Sequence, residues 1–153
     1  MSWESLVDWR ERQQGRVVFT NGVFDLLHPG HVDVLVGART CGHALVVGVN
    51  SDASVKRIKG ADRPVRSEGE RAYVLASLES VDAVTVFDQD TPLELVRVLQ
   101  PDVIVKGGDY AAGTVVGAAD VIARGGKVVI IPLTPGHSTT STIERLRGRS
   151  TDA

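Results

Sequence analysis

The sequence contains very little cysteine, no long apolar run and almost no excess of charge, and each shortage excludes a class of protein. Cys41 is the only cysteine, so one chain can build neither a disulfide framework nor a thiolate metal site. The longest apolar runs, such as Val128 to Ile131, are far shorter than the ~18–20 residues that span a bilayer. The first residues form no basic stretch followed by an apolar one. We therefore predict no signal peptide and no membrane partner, and expect a cytoplasmic protein.

The formal net charge is −2 and the basic residues are scattered, which argues against a nucleic-acid partner. Anionic small molecules stay possible, because a local site can be positive in a nearly neutral protein. The balance of 42% apolar and 24% charged residues is typical of a globular protein. The length predicts a single domain over residues 1–153, with a core from about 15 to 147.

Short β-branched runs alternate with helical patterns along the chain. This alternation predicts an α/β fold with one Rossmann-like, doubly wound parallel sheet of five strands. The predicted strands are Val17–Thr20, Leu45–Val49, Val84–Val86, Val103–Val105 and Val128–Ile131. Helices are predicted from about Pro29 to Thr40, around Tyr73 to Leu78, after Thr91 and from Ser138 to Arg147, whereas Asn50–Ser67 is predicted to be a long polar loop.

Ligands of such sheets bind beyond the carboxyl ends of the strands. Four polar, glycine-bearing or hydroxyl-rich segments follow predicted strands and are expected to meet at one cleft. They are Thr20–His31, Asn50–Arg63, Lys106–Tyr110 and Thr134–Thr142.

The HPGH segment begins the first predicted helix. Proline is favoured at the first helical position, so His28 can cap this helix and His31 falls in its first turn. Gly30 would let a phosphate approach free backbone N–H groups there. The plainer alternative is a cap followed by a solvated histidine. The position of HPGH at the first βα turn favours the phosphate site over this alternative. No cysteine or carboxylate is spaced to complete a zinc site with these histidines, so no resident metal is predicted.

Three other segments each allow a structural and a functional interpretation. KRIKGADRP is either a solvated basic loop or a lid whose Lys59 and Arg63 close over a polyphosphate. VKGGDY is either a tight turn or a close backbone approach in which Asp109 accepts hydrogen bonds from hydroxyls. Hydroxyls crowd the start of the last helix, where one would suffice as a cap, so they also fit an anion site; they are Ser138, Thr139 and Thr140.

Taken together, these motifs resemble the H-x-G-H nucleotidylyltransferases, the superfamily that includes cytidylyltransferases and pantetheine-phosphate adenylyltransferase. The segments that carry the likeness run from about Val17 to Ile143: TNGVFDLLHPGHVDVL, VNSDASVKRIKG, RPV, DTPLELV, PDVIVKGGDY and STTSTI. Their combination is most similar to the adenylyltransferase domains of bacterial ADP-heptose synthases. The resemblance implies the HUP-type nucleotidylyltransferase fold. It also implies AMP transfer from ATP, with Mg²⁺ carried by the nucleotide, to a heptose 1-phosphate for lipopolysaccharide core synthesis.

The resemblance also implies roles for individual residues. His28, His31 and Lys59 would be catalytic, and Lys106, Asp109 and Arg63 would lie near the sugar phosphate. The remaining predicted site residues would bind the nucleotide: Thr20, Asn21, Gly22, Phe24, Gly30, Ser138, Thr139 and Thr140. A homodimer and a separate heptose kinase are further family-level expectations.

The chain departs from the family pattern at two positions. Gly69 stands where a glutamate usually precedes the helix arginine, which leaves the partner of Arg71 open. Leu133 stands where cytidylyltransferases tend to have an arginine, which disfavours glycerol-3-phosphate cytidylyltransferase, the nearest alternative activity. The alternative of another class is a non-catalytic nucleotide-binding module. The intact HPGH, Lys59 and STT argue against it.

Overall fold

The computed structural model describes residues 1–133, 135–136 and 138–150, so Thr134 and His137 of the fourth predicted segment lie outside the described residues. Five strands form one sheet: β1 (Val17–Gly22), β2 (Ala44–Asn50), β3 (Ala83–Phe87), β4 (Val103–Gly107) and β5 (Lys127–Ile131). The helices are α1 (Trp3–Glu11), α2 (Pro29–Arg39), α3 (Asp52–Lys59), α4 (Glu68–Ala76), α5 (Leu93–Leu99), α6 (Ala118–Ala123) and α7 (Thr139–Ser150), with a 3₁₀ turn at Ala112–Thr114.

All strand pairs are parallel, and the strand order is β3-β2-β1-β4-β5. The chain runs outward from β1 to β3 and then returns to β4 on the other side of β1. The order therefore reverses between β1 and β4, and the carboxyl ends of these two strands form the crevice in which such sheets bind ligands. The predicted doubly wound, five-stranded parallel fold is confirmed.

Both faces of the sheet are covered by helices, because neighbouring strand residues point into opposite cores. Phe19 packs on one face with Leu6 of α1 and Leu95 of α5. Val18 packs on the other face with Leu35 of α2 and Leu75 of α4. All seven residues of β2 are buried, as expected for a central parallel strand with an unbroken apolar sequence.

The prediction of a continuous polar loop over 50–67 is wrong. Residues Asp52–Lys59 form α3, which Ser51 caps by accepting a hydrogen bond from the Ser54 N–H. All three of its basic residues lie in the last turn, where the helix dipole stabilises positive charge. The sequence analysis also does not predict α1 or α6. No helix among the described residues is long and apolar enough to cross a membrane.

Candidate active site

A cleft of about 360 Å³ opens at the reversal of strand order. All four predicted segments contribute to its lining, and α2 approaches β4 closely there. A Cβ on Gly107 would lie 2.6 Å from Cγ2 of Val34, so only glycine permits this approach. The predicted site residues that line the cleft are Thr20, Asn21, Gly22, Phe24, His28, Gly30, His31, Lys59, Arg63, Lys106, Ser138, Thr139 and Thr140.

Asp109 is the exception among the predicted site residues. It is exposed and does not line the cleft, although Lys106 and Gly107 of the same segment do. Leu133, which the sequence analysis named only as a departure from the family pattern, also lines the cleft. So does Asp25, which the sequence analysis did not name.

The two histidines form a reciprocal cap on α2. Nδ1 of His28 accepts a hydrogen bond from the Gly30 N–H at 3.1 Å, and Nδ1 of His31 accepts one from the His28 N–H at 3.2 Å. The rings stack with centroids 3.8 Å apart, and Phe24 packs at 5.5 Å from His31. Because both Nδ1 atoms accept, the ring proton of each histidine lies on Nε2.

His31 is neutral at pH 7. Burial and the adjacent His28 lower the pKa of His31 to about 4. The position at a helix N-terminus acts in the same direction, because the dipole disfavours a cation there. His31 is therefore a neutral hydrogen-bond donor in this structure.

The expectation of free N–H groups at the start of α2 is corrected by this capping. Pro29 has no N–H, the Gly30 N–H is bonded to His28, and the His31 and Val32 N–H groups donate to the His28 carbonyl. This helix end can bind an anion through imidazole protons more readily than through its backbone.

Lysines approach the cleft from two sides. Lys59 is exposed at the end of α3, where Gly60 caps the helix with φ +105°. Lys106 of β4 donates a hydrogen bond to the Asn21 carbonyl at 3.4 Å, and burial lowers the pKa of its ammonium group. An anion in the cleft would thus meet one exposed and one partly desolvated cation.

Asp25 holds the wall formed by residues 63–66. Its fully buried carboxylate accepts hydrogen bonds from Arg63 Nε at 3.2 Å, the Val65 N–H at 2.8 Å and the Arg66 N–H at 3.1 Å. The sequence analysis overlooked this residue. A carboxylate inside the apolar run from Val23 to Leu27 was the available signal, because a buried charge requires a partner.

Arg71 is a second buried charged residue whose partner the sequence analysis left open. Its guanidinium donates to the carbonyls of Val23 and Asn50 at 2.8 Å each, and to Asp52 Oδ1 at 2.8 Å. Asp52 therefore supplies the acidic partner of Arg71. Gly69 leaves no gap, since Glu68 instead accepts a hydrogen bond from the Asp52 N–H at 2.7 Å.

The start of α7 is attached to the β1–α2 loop. Thr139 Oγ1 donates to the Asp25 carbonyl at 2.7 Å, and Ser138 Oγ accepts from the Ser141 N–H at 3.4 Å. The Thr139 hydroxyl is thus structural in this state, and Thr139 and Thr140 place the positive end of α7 in the wall of the cleft.

The Cytidylyltransferase-like family matches residues 19–147, which include every part of the cleft described above. The chain belongs to this family. The match confirms the predicted superfamily and an enzyme of the nucleotidyltransferase type.

Curated relatives extend well beyond this chain. The bifunctional protein HldE of Acidiphilium cryptum is 57% identical over 144 residues, which are 94% of this chain and 29% of the relative. That of Nitrobacter winogradskyi is 56% identical over 145 residues, 95% of this chain and 30% of the relative. The chain therefore spans about a third of the length of these relatives or slightly less.

Two solved structures share the fold. A lipopolysaccharide core biosynthesis protein from Thermoplasma volcanium aligns with a TM-score of 0.62 at 28% identity, over 78% of this chain and 97% of that one. Pantoate-beta-alanine ligase from Francisella tularensis aligns with a TM-score of 0.59 at 13% identity, over 88% of this chain and 67% of that one. The second likeness concerns the fold alone.

Proposed function

We propose that this chain transfers AMP from ATP to a heptose 1-phosphate and releases ADP-heptose and pyrophosphate, as a precursor step of lipopolysaccharide core synthesis. The observation that carries the proposal is the stacked His28–His31 pair, which lies in a cleft that Lys59 and Lys106 also line. The HldE relatives and the lipopolysaccharide core biosynthesis neighbour support the sugar phosphate as acceptor.

The acceptor needs no general base. A phosphate monoester has a second pKa near ~6, so it is mostly dianionic at neutral pH and can attack the α-phosphorus directly. Pyrophosphate leaves in line with this attack, and charge accumulates on the equatorial oxygens. His28 and His31 would donate hydrogen bonds to these oxygens or to the leaving group, while Lys59 would neutralise charge from the end of α3.

Magnesium would enter with the nucleotide. No group of three or more His, Cys, Asp or Glu among the described residues is arranged to hold a metal ion. Mg²⁺ commonly binds through substrate phosphates, and there it would screen the repulsion between the two polyanionic substrates. In this proposal residues 1–153 act as a nucleotidylyltransferase in the cytoplasm, and a kinase reaction supplies the sugar phosphate. Lys106, Arg63 and Asp109 are proposed to lie on the sugar-phosphate side, where Lys106 and Arg63 line the cleft and Asp109 lies outside its lining.

The test is pyrophosphate release across ATP and CTP, each with heptose 1-phosphate anomers and glycerol 3-phosphate. We expect turnover with ATP and a heptose 1-phosphate. Turnover only with CTP and glycerol 3-phosphate would assign the alternative activity, and ATP binding without turnover for any acceptor would leave a binding module.

Two variants test the assigned residues. His28→Asn retains an excellent helix cap but removes Nε2–H, and Lys59→Ala removes the cation. Loss of one such donor costs about 10²–10³ in turnover. The Michaelis constant for ATP should change much less. Lys56→Ala is the matched control, because Lys56 is an exposed cation of α3 that does not line the cleft. Equal turnover of the Lys59 and Lys56 variants would contradict the assignment of Lys59.

A further inference from the structure

The loop over residues 88–90 lies outside the catalytic cleft but contacts the helix that carries Lys59. It connects β3 to α5, and none of its three residues lines the cleft. Asp90, at its end, begins the DTPLELV segment. The contacts of this loop with α3 therefore bear on where Lys59 lies.

The 88–90 loop holds α3 at its cap, its middle and its last turn. The hydrogen bonds join Ser51 to Asp88, Ser54 to Gln89 and Arg57 to Asp90. Arg57 Nε donates to Asp90 Oδ1 at 2.9 Å, and the Arg57 guanidinium also donates to the Asp88 carbonyl. Residues three apart are neighbours on a helix surface, so one side of α3 is attached along its whole length.

Apolar packing does little to orient α3. The helix has eight residues, and only Ser54 and Val55 are buried. Lys59 itself is exposed, and Gly60 ends the helix directly after it with φ +105°. Among the described contacts of the last turn, those of Arg57 attach it to the body of the fold.

Arg57 and Lys59 leave the last turn in nearly opposite directions. Successive helical residues are rotated by about 100°, so two positions differ by about 200°. The 88–90 loop holds Arg57 on one side of α3, and Lys59 lines the cleft on the other. If Arg57 were released, the last turn could rotate or fray and carry the Lys59 ammonium group away from the cleft.

We propose that Arg57 and Asp90 are positioning residues that hold Lys59 in the cleft. This inference rests on the proposed role of Lys59 in nucleotidyl transfer. The side chains of the pair are 46% and 72% exposed, so the pair contributes little to folding stability. A displacement of about 1 Å at a catalytic group can nevertheless cost about 10²-fold in rate. Loss of the pair should therefore affect turnover much more than folding.

The first test is pyrophosphate release from ATP and heptose 1-phosphate by Arg57→Met, with and without Lys59→Ala. With Lys59 present, Arg57→Met should lower kcat about tenfold or more and change the Michaelis constant for ATP less. In the Lys59→Ala chain it should cause no further loss, because no ammonium group is left to position. An equal loss in both backgrounds would show that Arg57 acts independently of Lys59 and would overturn the proposal.

Asp90→Asn separates positioning from direct binding of phosphate by Arg57. This change removes the partner of Arg57 but leaves its cation. Positioning predicts the same direction of change in kcat as for Arg57→Met, whereas direct binding predicts unchanged or higher turnover, which would contradict the proposal. Glu94→Gln is the matched control. Glu94 is an exposed carboxylate in the first turn of α5 and does not line the cleft, so its loss should leave turnover unchanged.

Hydrogen exchange of the α3 amides gives a readout that needs no substrate. Exchange should be faster in Arg57→Met and Asp90→Asn than in the unmodified and Glu94→Gln chains, because the last turn opens more often. Unchanged exchange in both variants would overturn the proposal. Loss of turnover in Lys59→Ala without any loss in Arg57→Met would overturn it as well, and would leave the proposed function intact. Full turnover in Lys59→Ala would contradict the proposed role of Lys59 and the positioning role together.

Discussion

Replacement of Arg71 by methionine should destabilise the protein severely. The side chain is 1% exposed, and it binds three backbone carbonyls together with the Asp52 carboxylate. Methionine fills similar volume but donates nothing, so these acceptors would lose their partner. Because Asp52 is 35% exposed, most of the cost comes from the three carbonyls left without this donor; at about 1–3 kcal/mol each, the lower part of the range gives about 3–5 kcal/mol.

The expected loss is measurable as a change in the free energy of unfolding in urea. With about 2–4 °C per kcal/mol for a protein of this size, the midpoint of thermal unfolding should fall by about 6–20 °C. Arg97→Met is the matched control. Its partner Asp120 is 3.5 Å away and the arginine side chain is 60% exposed, so the change should cost less than about 1 kcal/mol.

A double-mutant cycle with Asp52→Asn tests whether Asp52 is the partner that replaces the glutamate missing at Gly69. We expect a coupling free energy of about 0.5–3 kcal/mol, because the two side chains are in direct contact. A loss below 1 kcal/mol for Arg71→Met, or additive effects in the cycle, would refute the assigned role of this network.

Two further predictions concern the cleft. The folded-state pKa of His31 is about 4 against 6.5 for the free side chain, so the unfolded chain binds the extra proton between these values. The stability contribution is therefore complete above pH 6.5 and declines as the pH falls to 4, by at most about 1.4 kcal/mol per unit before solvent screening reduces it. Urea unfolding of His31→Gln should lack this part of the slope, and identical pH profiles would contradict it. Asp25→Asn should cost about 3–5 kcal/mol in unfolding free energy, because Arg63 would lose its buried partner. Asp120→Asn, at an exposed pair, should cost less than about 1 kcal/mol, and a similar loss in both variants would be inconsistent with the Asp25 network.

The strands were predictable because burial on both faces requires continuous apolar, β-branched sequence. Such runs stand out in β2 and β4, whose predicted bounds lie within two residues of the observed ones. Helix α3 was not predictable in the same way. Its fully buried positions are only Ser54 and Val55, so its sequence lacks a strong apolar period and reads as a polar loop.

The convergence of four loops was predictable from topology, but the network that orders them was not. Which acceptor Arg71 would find depended on the register of α3, and α3 itself was missing from the prediction. The sequence nevertheless contains a signal for both central residues of the network, Asp25 and Arg71. Asp25 interrupts an apolar run, and Arg71 occupies the core-facing stripe with Leu75, where an unpaired charge would be prohibitively costly.

The structure also changes the division of work expected within the cleft. The sequence suggested that HPGH attracts phosphate through the positive end of α2. In the capping box the Gly30 N–H already donates to His28, and His31 is neutral. This segment therefore contributes directed hydrogen bonds and little net charge. Arg63 is already paired with Asp25. The protein's own compensation of a bound polyphosphate must then come mainly from Lys59, from Lys106 and from the dipole of α7. Added salt should therefore reduce the contribution of the exposed Lys59 to nucleotide binding more than the contribution of the histidine donors. Salt screens exposed charges strongly and neutral hydrogen bonds scarcely.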